Sequence, residues 1–510
     1  MRANHPSSSL GAREQFWAIS WRLCWRRRVG RLDPIRRGTR RLGGSRVAQG
    51  GGCAHQALQV RDPRRGTLET MDRPVSSSRF GRYVRELRVL NAGSLRAGGI
   101  PLAHIDLAHS HLDGRAGREL RLAVPLSDLR RMGAFFTGDA LAGEVIRRAG
   151  EPTVWSAVVD PACGCGDLLL AAARRLAVHH DLESTLQSWG EVLHGVDCVP
   201  EFVEVARQRL MLLALLRGAR PTRPDLPRLE ALLPKIVSGD GRRHKYLAQA
   251  DLVLLNPPYG RIIAPPHVPW ASGLVTDAAL WVASVIEQVP HSGRLVAVLP
   301  DVLRSGTRYA RWRAEVGTAA RIAELRSIGQ FDALTDVDVF VLVATRSMRK
   351  PGTGWPMLAT APVTVADVCT VMVGPVVDRR DAHQGPLVPY IATQDLPQSG
   401  DFVPVRRRRF SKRLFKPPFV VLRRTSRPTS EQARLRPVII RGTESVAVEN
   451  HLLVLQPARA TLHACRELAG ALVEQPTTDW LNRRIRTRHL TVSAVREAPL
   501  GREATLRRAT

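Results

Sequence analysis

The sequence predicts an α/β protein built on a doubly wound, mostly parallel sheet. Three observations carry this. From about residue 131, apolar runs of strand length alternate with amphipathic helical stretches. A glycine-rich turn joins the first of those strands to its helix. Three consecutive strands each end in an aspartate.

The elements follow in order. "TVWSAVVD" (153–160) reads as a buried strand running into the helical "DLLLAAARRLAV", and "EVLHGVD" (191–197) as a second strand before "PEFVEVARQRLMLLALL". "KIVSGD" (235–240) and "ADLVLLN" (250–256) continue the alternation. After them come the helix "DAALWVASVIEQV", the strand "GRLVAVLP" (293–300) and a late strand "DVDVFVLVATR" (336–346). Upstream, 71–130 is mixed and mostly helical, starting with "RFGRYVRELRVLNAGSL". Glycine, proline and aspartate become frequent over 351–385, which reads as a linker. The tail, 386–510, has strand-like runs ("PFVVLRR", "RPVIIRG", "NHLLVLQP") among arginines, then the helical "LHACRELAGALVEQ", an α+β pattern. The expected layout is therefore 71–130, a catalytic domain over 131–350, a linker over 351–385 and a tail domain over 386–510.

The net charge of +30 points to a polyanionic partner. Residues 1–70 hold 15 arginines, no lysine and 4 acids, so they supply +11 of it. With no apolar period, this stretch is read as lying outside the fold: an upstream frame before Met71, or failing that a basic arm. No apolar run approaches the ~18 residues of a membrane span, so a cytoplasmic, DNA-associated protein of bacterial type is expected. Seven scattered cysteines without a C-x-x-C pair argue for a reducing compartment. Cys163, Cys165, His194 and Cys198 do not have zinc spacing, and no metal is expected.

Chemistry gathers at strand ends, where open parallel sheets collect ligands. "VVDPACGCGD" (158–167) places Gly164 and Gly166 in a tight turn that allows close backbone approach. A dinucleotide fingerprint needs a third glycine where Leu169 stands. Asp160, Asp197 and Asp240 end the first three strands, and their carboxylates suit a cationic adenosyl ligand. The fourth strand ends in Asn256-Pro257-Pro258-Tyr259. Prolines lack N–H groups and leave carbonyls free. The Asn256 side-chain oxygen and the Pro257 carbonyl offer two acceptors for one NH₂ group. Tyr259 offers a face on which a base stacks, worth roughly 1–3 kcal/mol. Holding both N–H groups draws the amine nitrogen toward tetrahedral geometry and frees its lone pair.

"DPACGCG" followed some 90 residues later by "NPPYG" resembles motifs I and IV of the amino-methylating DNA methyltransferases, the N6-adenine group of restriction–modification type, in the order X, I, IV, target-recognition domain. The resemblance covers roughly 131–346. It implies a Rossmann-like class I S-adenosylmethionine-dependent methyltransferase sheet with a C-terminal α+β target-recognition domain. "GAFFTGDALAGEVI" resembles motif X, which makes Thr137 a ligand of the methionine carboxylate of S-adenosyl-L-methionine. Asp160, Pro161, Ala162, Gly164 and Gly166 then cradle that cofactor, Asp197 holds its ribose and Asp240 lies near its adenine. Asn256, Pro257, Pro258 and Tyr259 take the target amine, and Phe331 closes on the flipped base. Gly138 stands where the family has proline, Cys165 where it has serine or threonine, and Gly241 where an aromatic often packs on the cofactor.

The implied activity is site-specific methylation of adenine N6 in double-stranded DNA, in restriction–modification or phage defence. In-line displacement needs no covalent nucleophile, so Cys163 and Cys165 have no catalytic role in this reading. In the tail, "VRRRRFSKRLFKPPFVVLRRTSR" (405–427) interleaves basic residues with Phe410, Phe415 and Phe419. Arg406, Arg407, Arg408, Arg409, Lys412, Arg423 and Arg424 are the expected phosphate contacts. No nuclease constellation is visible, so cleavage is assigned to a separate endonuclease or other defence subunit. Rival readings are N4-cytosine methylation, RNA guanine-N2 or protein-glutamine methylation, and a non-catalytic DNA-binding subunit.

Overall fold

The computed structural model describes residues 79–152, 155–332, 335–347, 355–356, 362–426 and 433–501. The arginine-rich stretch 1–70 lies outside the described residues. Seven strands form one mixed sheet: β1 (Val158–Asp160), β2 (Leu193–Asp197), β3 (Ile236–Ser238), β4 (Leu252–Leu255), β7 (Arg294–Pro300), β8 (Ala320–Asp332) and β9 (Thr335–Arg346). Their order is β3-β2-β1-β4-β7-β9-β8. The sheet closes at one edge with the antiparallel hairpin β8–β9. Between β4 and β7 lies a small antiparallel pair, β5 (Arg261–Ile263) with β6 (Leu274–Thr276). The chain divides into two compact units, 1–147 with 151–244 and 148–150 with 245–510.

In the first unit, β1 and β3 each pair in parallel with β2. The strands are apolar on both faces because helices cover them. Ahead of the sheet come α1 (Arg79–Arg96), α2 (Ile105–Leu112), α3 (Arg115–Ala123), α4 (Leu126–Met132) and α5 (Asp139–Ile146). The sheet helices are α6 (Asp167–Ala173), α7 (Leu182–Val192), α8 (Pro200–Leu216) and α9 (Leu226–Ala231). All seven residues of α6 are buried, the six after Asp167 because they are apolar all round the helix. Helix α7 is opened by Asp181, whose side chain accepts from the Ser184 N–H and satisfies a donor the helix leaves over. Phe80, Tyr83, Leu87, Leu90 and Leu95 of α1 are buried, so the N-terminal helices share a core rather than trailing from it.

In the second unit, β4 and β7 are parallel while β9 is antiparallel to both β7 and β8. Helices α10 (Asp277–Gln288), α11 (Asp301–Ser305) and α12 (Ala310–Ala319) accompany them. Beyond the hairpin comes α13 (Val365–Val368), then β10 (Cys369–Val373) and β11 (Leu387–Ile391). Next are β12 (Gly400–Phe402), β13 (Arg407–Arg409), β14 (Phe419–Arg423), β15 (Val438–Ile440), β16 (Ala447–Val448) and β17 (Leu452–Pro457). Five of these form a sheet in the order β10-β17-β14-β15-β12, and three form another, β13-β11-β16. Helices α14 (Leu462–Leu472), α15 (Gln475–Arg484) and α16 (Val492–Arg496) close the unit. The stretch expected to be a linker, 351–385, thus contributes α13 and β10. "CTVMV" pairs along its whole length with β17.

Candidate active site

Asp160 ends β1 with 1% of its surface exposed, and its Oδ1 accepts the Ala162 N–H at 3.2 Å. Burial, reinforced by the charges of Asp197 and Asp167, holds its carboxyl well above the usual range. The turn after it is fixed by Cys163 N–H donating to the Val196 carbonyl (3.0 Å) and Gly166 N–H to the Cys163 carbonyl (2.8 Å). Asp197, at the end of β2, is itself buried. Its Oδ2 accepts the Gly164 N–H at 3.0 Å and its Oδ1 the Val199 N–H at 2.9 Å. Gly164 sits at φ +50°, and a Cβ there would lie 2.9 Å from two Phe136 ring carbons. Phe136 precedes Thr137, so the turn at 133–138 and the glycine loop pack directly on one another.

Asp240 caps the short turn after β3, accepting the Arg242 N–H at 3.0 Å. Its neighbour Gly241 explains one departure from the family pattern. A Cβ at 241 would lie 1.7 Å from the Pro161 carbonyl oxygen, so this close approach excludes any side chain, aromatic or otherwise. Thus Thr137, Asp160, Pro161, Ala162, Gly164, Gly166, Asp197 and Asp240 all lie on loops of the first unit, at or beside the carboxyl ends of β1, β2 and β3.

These residues fit a cationic adenosyl ligand. Beyond burial, the charges of Asp197 and Asp167 raise the proton affinity of Asp160, a repulsion that a bound cation relieves. The thiols of Cys163 and Cys165 are pushed well above their ordinary value by burial, which suits loop packing and not nucleophilic attack. Among the described residues, no group of three or more His, Cys, Asp or Glu is placed to hold a metal.

In the second unit β4 is buried throughout, and the chain leaves it at Asn256, which is half-buried, into buried Pro257 and Pro258. The Tyr259 hydroxyl donates to the Val298 carbonyl on β7 at 3.1 Å, and the Tyr259 carbonyl accepts from Thr276 Oγ1 at 3.2 Å. Burial raises that phenol well above its ordinary value. Its role is therefore to place a ring. Phe331, 8% exposed on β8, meets it edge to face, centroids 5.9 Å apart and planes at 80°.

The tail residues are distributed differently from the sequence reading. Phe410, Phe415 and Phe419 are 2%, 1% and 0% exposed and belong to the cores of the tail sheets. Phe410 follows β13, Phe415 bridges to Val446 and Phe419 opens β14, whose first four residues are all buried. Arg408 is buried, paired with Asp378 and lying over the Tyr390 ring. Arg407 is held at both ends of the Glu444 carboxylate (3.0 and 2.7 Å), Lys412 by Asp381 (2.5 Å) and Arg406 by Asp395 (3.8 Å). Arg409, Arg423 and Arg424 donate to the carbonyls of Gly385, Leu396 with Pro397, and Asn450, and among the described residues these partners are neutral. "LNRRIRTRHL" is likewise engaged. The Arg486 N–H donates to Asp301 at 3.0 Å, Arg486 Nε to Asp338 at 3.4 Å and Arg484 to the Ser305 carbonyl at 3.3 Å.

Two residues reach the glycine loop that sequence reasoning did not single out, Asp167 and Arg209. The available signals were an acid directly after the last glycine and an arginine directly before the apolar run "LMLLALL".

The strand order agrees with the Rossmann-like class I S-adenosylmethionine-dependent methyltransferase sheet expected from the sequence. Residues 127–323 match the family model described as N-6 DNA Methylase. Among solved structures, the chain is similar to a type I restriction–modification methyltransferase subunit from Streptococcus thermophilus (17% identity, 45% of this chain and 52% of that one, TM-score 0.30). It is also similar to the EcoKI M protein (15%, 53% and 63%, 0.31) and the type IIG restriction endonuclease BpuSI (13%, 77% and 60%, 0.34). The chain spans about half the length of other such matches, 51% and 48% in two cases. No curated protein matches the sequence.

Proposed function

We propose that this chain transfers a methyl group from S-adenosyl-L-methionine to the N6 nitrogen of a flipped adenine at a defined site in double-stranded DNA. We place it in a restriction–modification or related defence system. The observation that carries the reading is the turn Asn256-Pro257-Pro258-Tyr259 at the end of a buried parallel strand, its tyrosine tied to Val298, inside the region that matches the N-6 DNA Methylase family model.

When bound, the cofactor supplies an electrophilic methyl on a good leaving group. The protein's part is positioning. The Gly164–Gly166 loop admits the cofactor closely, Asp197 and Asp240 orient its nucleoside and Thr137 its carboxylate. The Asn256 side-chain oxygen and the Pro257 carbonyl accept the two hydrogens of the adenine amine and direct its lone pair at the methyl. Tyr259 stacks on the base, offsetting part of the few kcal/mol that extrusion from the duplex costs. Phe331 covers the other face. Arg409, Arg423 and Arg424 of the tail grip phosphates, and separate subunits supply cleavage.

The test is to sequence the DNA of host cells for modified bases with the gene intact, deleted, or carrying Asn256→Ala. A methylated adenine motif present only with the intact gene supports the proposal. Identical N6-methyladenine in all three strains removes it, and 4-methylcytosine in place of methyladenine moves it to the cytosine reading.

A further inference from the structure

The charge around the glycine loop extends beyond the carboxylates facing a cofactor. Arg209, in the middle of α8, is fully buried. Its Nε donates to the His111 carbonyl at 2.9 Å and its NH2 group to the Leu112 carbonyl at 3.4 Å, both at the end of α2. Its NH1 group donates to the Cys165 carbonyl at 2.6 Å and to Asp167 Oδ1 at 2.8 Å. The other Asp167 oxygen accepts the Gly138 N–H at 2.7 Å. One ion pair thus joins three segments: the end of α2, the glycine loop between its two glycines, and the turn immediately after Thr137.

Packing alone does not call for this arrangement. Apart from Glu201 and Gln208, the other buried residues of α8 are apolar, and a guanidinium among them is costly to desolvate unless its donors are used. Nor do local electrostatics favour Asp167, which adds a third acid beside Asp160 and Asp197. Its gain is geometric, because a short carboxylate at the first position of α6 reaches the backbone of the 137–138 turn. Arg209 neutralises it there.

We propose that Arg209 and Asp167 are positioning residues for the amino-acid end of the cofactor. They hold the Thr137–Gly138 turn and the glycine loop in a single arrangement before any ligand arrives. This rests on the cofactor reading above and deepens it. The paired charge has a second consequence. A carboxylate neutralised by its own arginine does not repel the carboxylate of the incoming methionine moiety, whereas an unpaired one does.

Two probes separate the ends of the ligand. S-adenosylhomocysteine carries the amino-acid end, and 5′-methylthioadenosine lacks it. Calorimetric titration of the full chain with each is carried out on wild type, Asp167→Asn and Arg209→Lys. Wild type should bind the homocysteine compound more tightly. Each variant should lose at least tenfold in affinity for it while binding methylthioadenosine within twofold of wild type. Parallel loss of both probes would show a merely structural role, and unchanged affinity for both would show no role; either overturns the proposal. Should Arg209→Lys fail to fold, Asp167→Asn decides, since asparagine keeps an oxygen for one of the two donors. Wild type binding neither probe would sink the cofactor reading itself.

Discussion

Two glycines in "SGDG" should respond oppositely to the same change. At Gly241 a methyl group would sit 1.7 Å from the Pro161 oxygen and 2.6 Å from its carbonyl carbon. Real Cβ atoms essentially never approach closer than 3.0 Å, so one segment has to retreat by roughly 1.3 Å. Both partners are backbone, and no rotamer change relieves the contact. Overpacking of this kind costs about 1–3 kcal/mol, which for a unit of this size lowers the melting temperature by roughly 2–12 °C. The retreat also carries Asp240 away from the glycine loop, and a 1 Å misplacement is able to cost on the order of 100-fold in rate. At Gly239 the added methyl meets only Val196 Cγ1, at 3.7 Å, and the backbone there is not left-handed. Gly239→Ala should therefore melt at or slightly above wild type, as reduced freedom of the unfolded chain predicts. Differential scanning fluorimetry, with calorimetry against S-adenosylhomocysteine, compares the two. Equal behaviour of Gly241→Ala and Gly239→Ala would refute the argument that the Pro161 contact is what demands glycine.

Three further predictions concern the rest of the site. Glu201, buried at the start of α8 with one carboxyl oxygen unpartnered, has its pKa pushed up to about 7, chiefly by burial. Its favourable contribution is complete below the ordinary value of 4.5 and is lost as the pH rises through 7. Glu201→Gln should accordingly match wild type near pH 4.5 and exceed it at pH 8 in denaturant melts; a constant difference across that range would contradict the assignment. In the tail, Arg408→Met should change stability by no more than about 1 kcal/mol, because the Asp378 carboxylate it leaves behind is exposed and stays hydrated. It should leave the salt dependence of DNA binding unchanged. Arg409→Ala should reduce the salt slope by about 1 with little change in melting, and the reverse pattern would reassign both residues. Cys165→Ala should keep methyl transfer within about threefold, since a buried thiol with raised pKa takes no part in an in-line displacement; abolition of transfer would reopen covalent chemistry.

Much of this was legible because local pattern and tertiary role agreed. The apolar runs at 153–160, 191–197, 250–256 and 293–300 each contain a buried strand, since only a strand covered on both faces reads as an unbroken apolar run. The three tail runs and the helix at 462 were legible for similar reasons. Strand β8 was not, because "ARIAELRSIGQFD" mixes charged and apolar positions along an edge strand with three register shifts. Strand β10 was hidden by the glycine and proline around it. The phenylalanines of 405–427 suggested a surface by their charged neighbours, although they pack into the cores of the tail sheets. Asp167 and Arg209 were invisible because they meet 42 residues apart, through a fold that no local period encodes. For the same reason 71–130 looked chemically empty, yet the carbonyls ending α2 hold the arginine that holds the loop.

The most direct test of the central claim is labelled methyl transfer to DNA in host extract containing either the native chain or Asn256→Ala at equal level, with cofactor affinity measured on the purified proteins. The account predicts N6-methyladenine from the native chain. For Asn256→Ala it predicts a fall of about 100-fold or more, comparable to losing one preorganised polar contact, with cofactor affinity unchanged within threefold. Equal transfer by both chains, or a loss fully explained by weaker cofactor binding, would contradict it.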